Sequence, residues 1–246
     1  MNEVAVRFLG SGDAFGSGGR LQTCIHLQLD GKDFLIDFGA SSLIAMKHWG
    51  VDPSRIDAIL LTHLHGDHFG GIPFLFLHEQ LISKRSAPIL IAGPPGLEGR
   101  IIAAMEVFFP GSSKMKRGFS VEFVELTERT QTQIGNLKVT PFLVTHASGA
   151  PSYALRIECG KVIGYSGDTE WTDALTEVAQ DADLFICEAY FWEKQIKYHL
   201  DYRTLMEHKA KLGCRRLILT HMSEDILARL AEVETEYARD GQRILL

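Results

Sequence analysis

The stretch Leu61-Thr62-His63-Leu64-His65-Gly66-Asp67-His68-Phe69-Gly70-Gly71 contains four side chains that can bind a metal within six residues. In an extended segment, alternate side chains project to the same face, so His63 and His65 can share one metal ion. Asp67 and His68 lie beyond the turn at Gly66 and can point to a second ion nearby. Three imidazoles and a carboxylate packed this closely would be costly to bury without a cation. The stretch therefore predicts a metal centre.

The metal-binding stretch follows a nearly all-apolar segment at 56–62, which is typical of a strand covered on both faces. Asp30-Gly31 is a turn signal that joins two strands into a hairpin. Strands are predicted at 4–9, 25–29, 34–37, 56–62, 121–126, 137–144, 153–158, 161–166, 184–187 and 217–219. Helices are predicted at 72–81, 97–108, 175–179, 204–212 and 226–237. This pattern favours an α/β protein with helices outside two packed sheets.

The size and composition of the chain favour one globular domain over residues 1–246. Apolar residues make up 46% of the chain and charged residues 23%, and no internal repeat divides it. A formal net charge of −6 argues against a broad basic surface for nucleic acid. The four scattered cysteines form no CxxC pair and are expected to be reduced, mostly buried thiols. No leader or membrane-spanning apolar run is recognisable, so we expect a cytoplasmic protein that does not enter a membrane.

Three further possible ligands stand at the ends of predicted strands, in Thr145-His146, Ser166-Gly167-Asp168 and Thr220-His221. With the motif His-x-His-x-Asp-His, their order resembles the metallo-β-lactamase superfamily over nearly the whole chain. The resemblance implies a four-layer αββα sandwich with a metal site at the sheet edge. It also implies that His63, His65 and His146 hold one metal and Asp67, His68 and His221 a second, with Asp168 bridging both. Asp37 matches an aspartate that supports the metal loop in that family.

The ligand chemistry indicates two divalent metal ions. Nitrogen and carboxylate ligands without thiolate favour Zn²⁺ and also suit Mn²⁺ or Fe. Two such ions about 3.5–4 Å apart can share a water, lower its pKa and polarise the group that this water attacks. A bridging hydroxide is then the expected nucleophile, and Asp67 can orient it or accept its proton. The leaving group needs an acid, for which His199 is the candidate.

A second resemblance narrows the family. Glu188-Ala189 followed by His199 resembles the transfer-RNA 3′-processing ribonuclease Z, in which that histidine assists phosphodiester cleavage. Leu9-Gly10-Ser11-Gly12 with Arg20, and Gly93-Pro94-Pro95-Gly96, also match its pattern. The long arm with which that nuclease grips transfer RNA is missing, because only Cys159-Gly160 separates two predicted strands. The missing arm argues against transfer RNA, and the expected substrate is a small phosphodiester, such as a cyclic nucleotide or an activated diester.

Other functions remain open at this point. Lactone, ester and thioester hydrolases of the superfamily use the same metal centre on a carbonyl group, and the motif alone does not separate them from phosphodiesterases. A non-catalytic metal-binding scaffold is a further alternative, although such members typically lose ligands. The protein is also a candidate homodimer through the apolar helix with Phe74, Phe76 and Leu77.

Overall fold

Two mixed β-sheets lie face to face in the structure, a computed structural model that describes residues 3–246. Over these residues each sheet has seven strands, in the orders β14-β1-β2-β3-β4-β5-β6 and β13-β12-β11-β10-β9-β8-β7. The strands are β1 (Ala5–Gly10), β2 (Cys24–Leu29), β3 (Lys32–Ile36), β4 (Ile56–Leu60), β5 (Ile89–Gly93), β6 (Val121–Glu125), β7 (Thr132–Ile134), β8 (Leu137–Leu143), β9 (Tyr153–Glu158), β10 (Val162–Tyr165), β11 (Leu184–Glu188), β12 (Leu217–Thr220), β13 (Glu236–Tyr237) and β14 (Arg243–Leu245). The helices are α1 (Ser42–His48), α2 (Gly66–Phe69), α3 (Ile72–His78), α4 (Leu97–Phe108), α5 (Ala174–Ala179), α6 (Tyr202–Leu212) and α7 (Glu224–Leu227).

The central strands are apolar on both faces, since each strand sends alternate side chains to opposite sides of its sheet. In β3, Phe34 points into the core between the sheets, whereas Leu35 points to the core under the first helical layer. In β11, Ile186 joins the core between the sheets and Phe185 packs beneath the helices of the other side. The apolar runs of the sequence thus become strands buried on both faces.

Helices cover the outer face of each sheet. Side chains of α1, α3 and α4 pack on the first sheet, and those of α5 and α6 pack on the second. The order of layers is helix, sheet, sheet, helix. The predicted four-layer αββα sandwich is confirmed.

The predicted helix at 226–237 is wrong. Only Glu224–Leu227 is α-helical, a 3-10 turn follows at Leu230–Glu232, and Glu236–Tyr237 pairs with β12 as an edge strand. The helical spacing of apolar residues arose because Leu227, Leu230, Val233 and Tyr237 all pack against the same core. That spacing satisfies burial without a continuous helix, so periodicity misled the prediction here.

Two surface features bear on the expected partners. A tight turn with Gly160 at φ 82° connects β9 to β10 through three residues, so no RNA-gripping arm emerges from this hairpin. In α3, Phe76 is buried and Phe74 is 39% exposed beside Phe108. The homodimer stays a prediction. Within residues 3–246, no helix combines the length and the apolar character that crossing a membrane requires.

Candidate metal centre

The turn after β3 braces the metal-binding loop. Asp37 adopts a left-handed conformation with φ 57°, which aspartate tolerates better than most residues. Its carboxylate accepts hydrogen bonds from the backbone N–H of Thr62 at 2.8 Å and from the Thr62 hydroxyl at 2.8 and 3.0 Å. It also accepts one from Nδ1 of His68 at 2.7 Å. A single buried carboxylate therefore holds both ends of the loop that carries the motif.

The backbone of this turn runs directly against the metal-binding loop. The N–H of Phe38 donates to the carbonyl of His68 at 2.6 Å, and the N–H of Gly71 donates to the carbonyl of Phe38 at 3.0 Å. A Cβ atom on Gly39 would lie 2.2 Å from the carbonyl oxygen of Asp67, so only glycine fits there. The short helix α2 begins after His65 and carries Asp67 and His68. Close backbone packing thus sets where these two side chains point.

The second sheet supplies the other three predicted ligands from one edge. His146 follows β8, Asp168 follows β10 and His221 follows β12. The strands β10, β11 and β12 are parallel, so their carboxyl ends lie side by side. His221 has φ 55°, and its N–H donates to the carbonyl of Ser11 in the glycine-rich loop after β1. The loop after β1 therefore holds the backbone of His221 in place at the end of β12.

The structure brings all seven predicted ligands together in two groups whose ligand atoms converge: His63, His65 and His146, and Asp67, His68, Asp168 and His221. The Asp168 carboxylate lies between the groups. It is 3.9 Å from Nε2 of His63 and 4.0 Å from Nε2 of His146 on one side. On the other side it is 3.3 Å from Nε2 of His68 and 3.4 Å from Nε2 of His221. This is the place that the family resemblance assigns to a bridging carboxylate.

Several atoms at this point lack a hydrogen-bond partner among the described residues. They include Nε2 of His63, Nε2 of His68 and Oδ1 of Asp168, all of them buried. Buried polar groups are normally satisfied, and an unmet requirement of this kind is expected where an ion binds. Nε2 of His146 and Nδ1 of His65 are at hydrogen-bond distance, 3.0 Å, and together with a ligand atom of His63 they lie within 4.8 Å of one another. The residues present therefore fit a divalent metal centre.

Metal binds neutral imidazole and ionised carboxylate, and without a cation the net effect of burial and charge at the centre is to lower the pKa of Asp168 and His63 but to raise the pKa of His68 and His221. Burial lowers the pKa of His63 well below its usual value, and the neighbouring His68 acts in the same direction. Burial acts to raise the pKa of Asp168, but the charges of His221 and His68 outweigh it and hold that pKa well below its usual value. A cation would take the place of the proton that His221 shares with Asp67.

His199 lies against the metal-binding groups and is oriented by a carboxylate. Its Nδ1 donates to Oε2 of Glu188 at 3.0 Å and is 4.0 Å from Oδ2 of Asp168. Burial acts to lower the pKa of His199, but the hydrogen bond and the charge of Glu188 raise it above the usual value. Nε2 has no protein partner among residues 3–246, and the side chain is 20% exposed. His199 thus has its Nδ1 held by Glu188, its pKa raised by that carboxylate, and its Nε2 open to a ligand.

Sequence reasoning assigned no role to three groups that shape this centre. Glu188, fully buried, also accepts a short hydrogen bond from the N–H of Thr169. The ring of Tyr190 stacks on His199 with 4.7 Å between centroids. The carbonyl of Tyr198 accepts a hydrogen bond from Nδ1 of His146 at 2.8 Å. Only Glu188 had a sequence signal, as a carboxylate ending a buried strand.

Arg20, which matches the ribonuclease Z pattern in sequence, serves here to hold the chain together. Its guanidinium donates to the carbonyl of Ala238 at 2.6 Å.

Comparisons with known proteins agree with this arrangement. Ribonuclease Z of Lachnoclostridium phytofermentans is 26% identical, and the match covers 90% of this chain and 88% of that protein. The alignment spans 274 positions, more than the 246 residues of this chain, so that relative carries residues with no counterpart here. The short form of human tRNase Z is 27% identical, covers 98% of each chain and has a TM-score of 0.78. A diphosphatase of the PhnP family is 20% identical, covers 98% of this chain and 97% of its own, and has a TM-score of 0.77.

The fold and the clustered histidines and aspartates define a metal-dependent hydrolase of the metallo-β-lactamase superfamily, similar to ribonuclease Z. Within that class, the model of the family "Anti-Pycsar protein Apyc1" matches residues 4–243. The chain belongs to the Anti-Pycsar protein Apyc1 family.

Proposed function

We propose that this protein hydrolyses small phosphodiesters at a centre of two divalent metal ions, with Zn²⁺ as the metal and His199 as the acid for the leaving group. The proposed ligands are the seven residues His63, His65, Asp67, His68, His146, Asp168 and His221. The observation that carries the proposal is the pair of His199 and Glu188 beside these ligands. In the ribonuclease Z resemblance, the histidine at this place assists phosphodiester cleavage, so the pair favours phosphorus over a carbonyl group as the site of attack.

Two ions held there would act as Lewis acids on a phosphoryl oxygen and lower the pKa of the attacking water. Asp67 is suited to orient that water. Burial acts to raise its pKa, but His68 and His221 outweigh burial and keep the pKa well below the usual value, so the carboxylate is ionised and accepts a hydrogen bond. The water oxygen forms the new bond to phosphorus as the bond to the leaving oxygen breaks.

The leaving oxygen requires a proton as this bond breaks. Nε2–H of His199 is free to donate it, and the Nδ1–H···Glu188 hydrogen bond stabilises the imidazolium before the transfer. The proton lost by His199 balances the one released by the attacking water. A general acid of this kind contributes about 10²- to 10⁴-fold to the rate.

The shape of the surface favours a small substrate over transfer RNA. The hairpin between β9 and β10 has a three-residue connection, and the net charge of −6 offers little attraction to a polyanion. The ribonuclease Z relatives support phosphorus chemistry, since their name describes cleavage of RNA.

The test combines metal content with rates on bis-p-nitrophenyl phosphate, a lactone panel and a thioester panel. We expect about two zinc ions per chain and cleavage of the diester. His65→Ala is expected to lose one ion and nearly all activity. His48→Ala is the matched control, because His48 is an exposed histidine outside the cluster, and it is expected to behave as the wild type.

The acid role is tested with aryl methyl phosphates that have either p-nitrophenol or unsubstituted phenol as the leaving group. His199→Ala is expected to slow the phenyl ester at least tenfold more than the p-nitrophenyl ester, because only the poor leaving group depends strongly on protonation. Activity on carbonyl substrates alone would replace the proposal with a lactone or thioester hydrolase. Metal binding without any turnover would point to a scaffold.

A further inference from the structure

Tyr198 has a backbone conformation that side chains rarely adopt. Its φ is 74°, in the left-handed region, although it is neither glycine nor asparagine. Tyr198 is 41% exposed, its ring makes an edge contact with the His146 ring at 6.3 Å between centroids, and its hydroxyl has no hydrogen-bond partner among the described residues. Strain of this kind persists only where the surroundings impose it. Both backbone groups of Tyr198 are in fact held.

The two hydrogen bonds of Tyr198 connect the metal centre to one acidic side chain. Its carbonyl accepts from Nδ1 of His146 at 2.8 Å, and its N–H donates to Oε1 of Glu170 at 2.8 Å. The bond to a carboxylate is charge-assisted and is the stronger type. The peptide units on either side of Tyr198 are therefore clamped between a proposed metal ligand and Glu170.

Glu170 is itself attached to the loops of the centre. It follows Asp168 by two residues, and its N–H donates to the carbonyl of Thr145, the residue before His146. Its neighbour Thr169 donates through its N–H to Glu188 and through its hydroxyl to the carbonyl of Glu170. Within residues 3–246, the N–H of Tyr198 is the only hydrogen-bond partner of the Glu170 carboxylate. The carboxylate thus extends from a well-anchored backbone to the next loop.

The segment that Glu170 reaches has one β-bridge of its own, between Ile196 and His199, and is otherwise largely exposed. Residues 193–195, 197 and 198 are exposed, and His199 follows immediately. His199 must keep its Nδ1 within 3.0 Å of Glu188 to present Nε2 to a leaving group. A shift of about 1 Å at a reacting group can cost about 10²-fold in rate.

We propose that Glu170 is a positioning residue. Through the backbone of Tyr198 it fixes both the orientation of the His146 imidazole and the position of His199. The inference rests on the proposed role of His199 as acid. It implies that removal of Glu170 leaves the protein folded and the ligands present, but allows His199 to move away from the leaving group. Glutamine is expected to substitute for Glu170, because its amide oxygen can still accept from the Tyr198 N–H.

The test compares zinc-loaded Glu170→Ala, Glu170→Gln and Glu193→Ala. Glu193 is an exposed glutamate of the same loop with no partner within residues 3–246, so its variant controls for lost charge. We expect Glu170→Ala to lower kcat about tenfold on the phenyl ester and about twofold or less on the p-nitrophenyl ester, with KM unchanged. Glu170→Gln and Glu193→Ala are expected to stay within about twofold of wild type on both.

A second measurement does not depend on turnover. In ¹⁵N-histidine-labelled protein, the Nδ1–H protons of His146 and His199 are expected as slowly exchanging downfield resonances. Both should be lost or shifted in Glu170→Ala and retained in the glutamine variant. Unchanged resonances and equal rate losses on both esters would overturn the inference, even if His199→Ala shows the expected leaving-group selectivity. If His199→Ala itself shows no leaving-group selectivity, the proposed acid role of His199 fails. In that case a His146 resonance that is lost or shifted in Glu170→Ala would still support the positioning role of Glu170, and an unchanged one would overturn it.

Discussion

The side chains of Asp37 and His68, thirty-one residues apart, form a hydrogen bond of 2.7 Å, and neither is accessible to solvent. The bond directs Nδ1 of His68 away from the centre and leaves Nε2 facing Asp168 at 3.3 Å. The carboxylate thereby determines which nitrogen of His68 is available to a metal.

Asp37→Asn is expected to reduce metal affinity about 10- to 100-fold, because the neutral amide holds the His68 imidazole less strongly in that orientation. Asparagine tolerates the left-handed backbone at this position, so the fold should survive. Zinc content after dialysis and titration calorimetry check the expectation. Wild-type affinity in a folded variant would show that Asp37 serves only to hold Thr62.

Gly39→Ala is expected to destabilise the protein by about 1–3 kcal/mol and to weaken metal binding, although Gly39 supplies no ligand. The new Cβ would have to displace the carbonyl of Asp67, which lies 2.2 Å from its position. Gly99→Ala is the matched control, since Gly99 lies in α4 with no atom within 4 Å of an added Cβ. It should raise the free energy of unfolding by about 0.5–1 kcal/mol. Urea unfolding of both variants measures the difference, and equal stability would contradict the close packing.

Glu188→Gln is expected to lower kcat about tenfold or more and to move the alkaline limb of the rate profile to lower pH. His199 acts as an acid only when protonated, so activity falls as the pH rises through its pKa. Burial acts to lower that pKa, and the hydrogen bond and charge of Glu188 raise it, so their removal lets it fall. The measurement is kcat against pH on the phenyl ester. An alkaline limb at the wild-type position would assign it to another group.

His26 provides a pH-dependent contribution to stability far from the metal centre. Its ring is buried and donates from Nε2 to Asp33 at 2.8 Å. Burial lowers its pKa below the usual value, Asp33 opposes this effect, and Arg7 and Arg243 add to it. As the pH falls through about 6.5, the unfolded chain binds the proton before the folded one does, so this histidine reduces the free energy of unfolding.

His26→Gln keeps a donor near the position of Nε2 but does not titrate. The difference in unfolding free energy, variant minus wild type, should therefore increase as the pH is lowered from about 8 to about 5. Denaturant unfolding in the presence of a chelator removes the contribution of metal release. A difference that is constant with pH would mean that His26 is protonated equally in both states.

The layered fold could be predicted because the pattern of apolar residues within single segments already indicates the central strands. Runs such as 56–62 and 184–187 are apolar on both faces, and such runs have few alternatives to central strands. Edge elements were missed, since β7, β13 and β14 are two or three residues long and owe their conformation to a neighbour. The strand β5 was also missed, although it is buried. It is only five residues long, and the turn residues Pro94-Pro95-Gly96 that follow it are a stronger local signal than its short apolar run.

The predicted ligands share a dense local motif and three strand ends, which is why sequence alone could place together the side chains that converge in the structure. Tyr198 and Glu170 carry no such signal. Their contribution depends on a backbone carbonyl, a backbone N–H and a positive φ, and residue type does not report any of these. The proposed acid, His199, could be named from its context, but the hydrogen bond that orients it joins residues eleven positions apart.

The proposed ligands are divided between the two sheets: His63, His65, Asp67 and His68 come from the loop after β4, and His146, Asp168 and His221 come from the other sheet. An ion bound among them would be a cross-link between the two halves of the chain, which a cell can add or withdraw. A ligand that binds only the folded state slows the escape of that state to proteases. The metal-free protein is therefore expected to unfold and to be degraded more readily than the metal-bound protein.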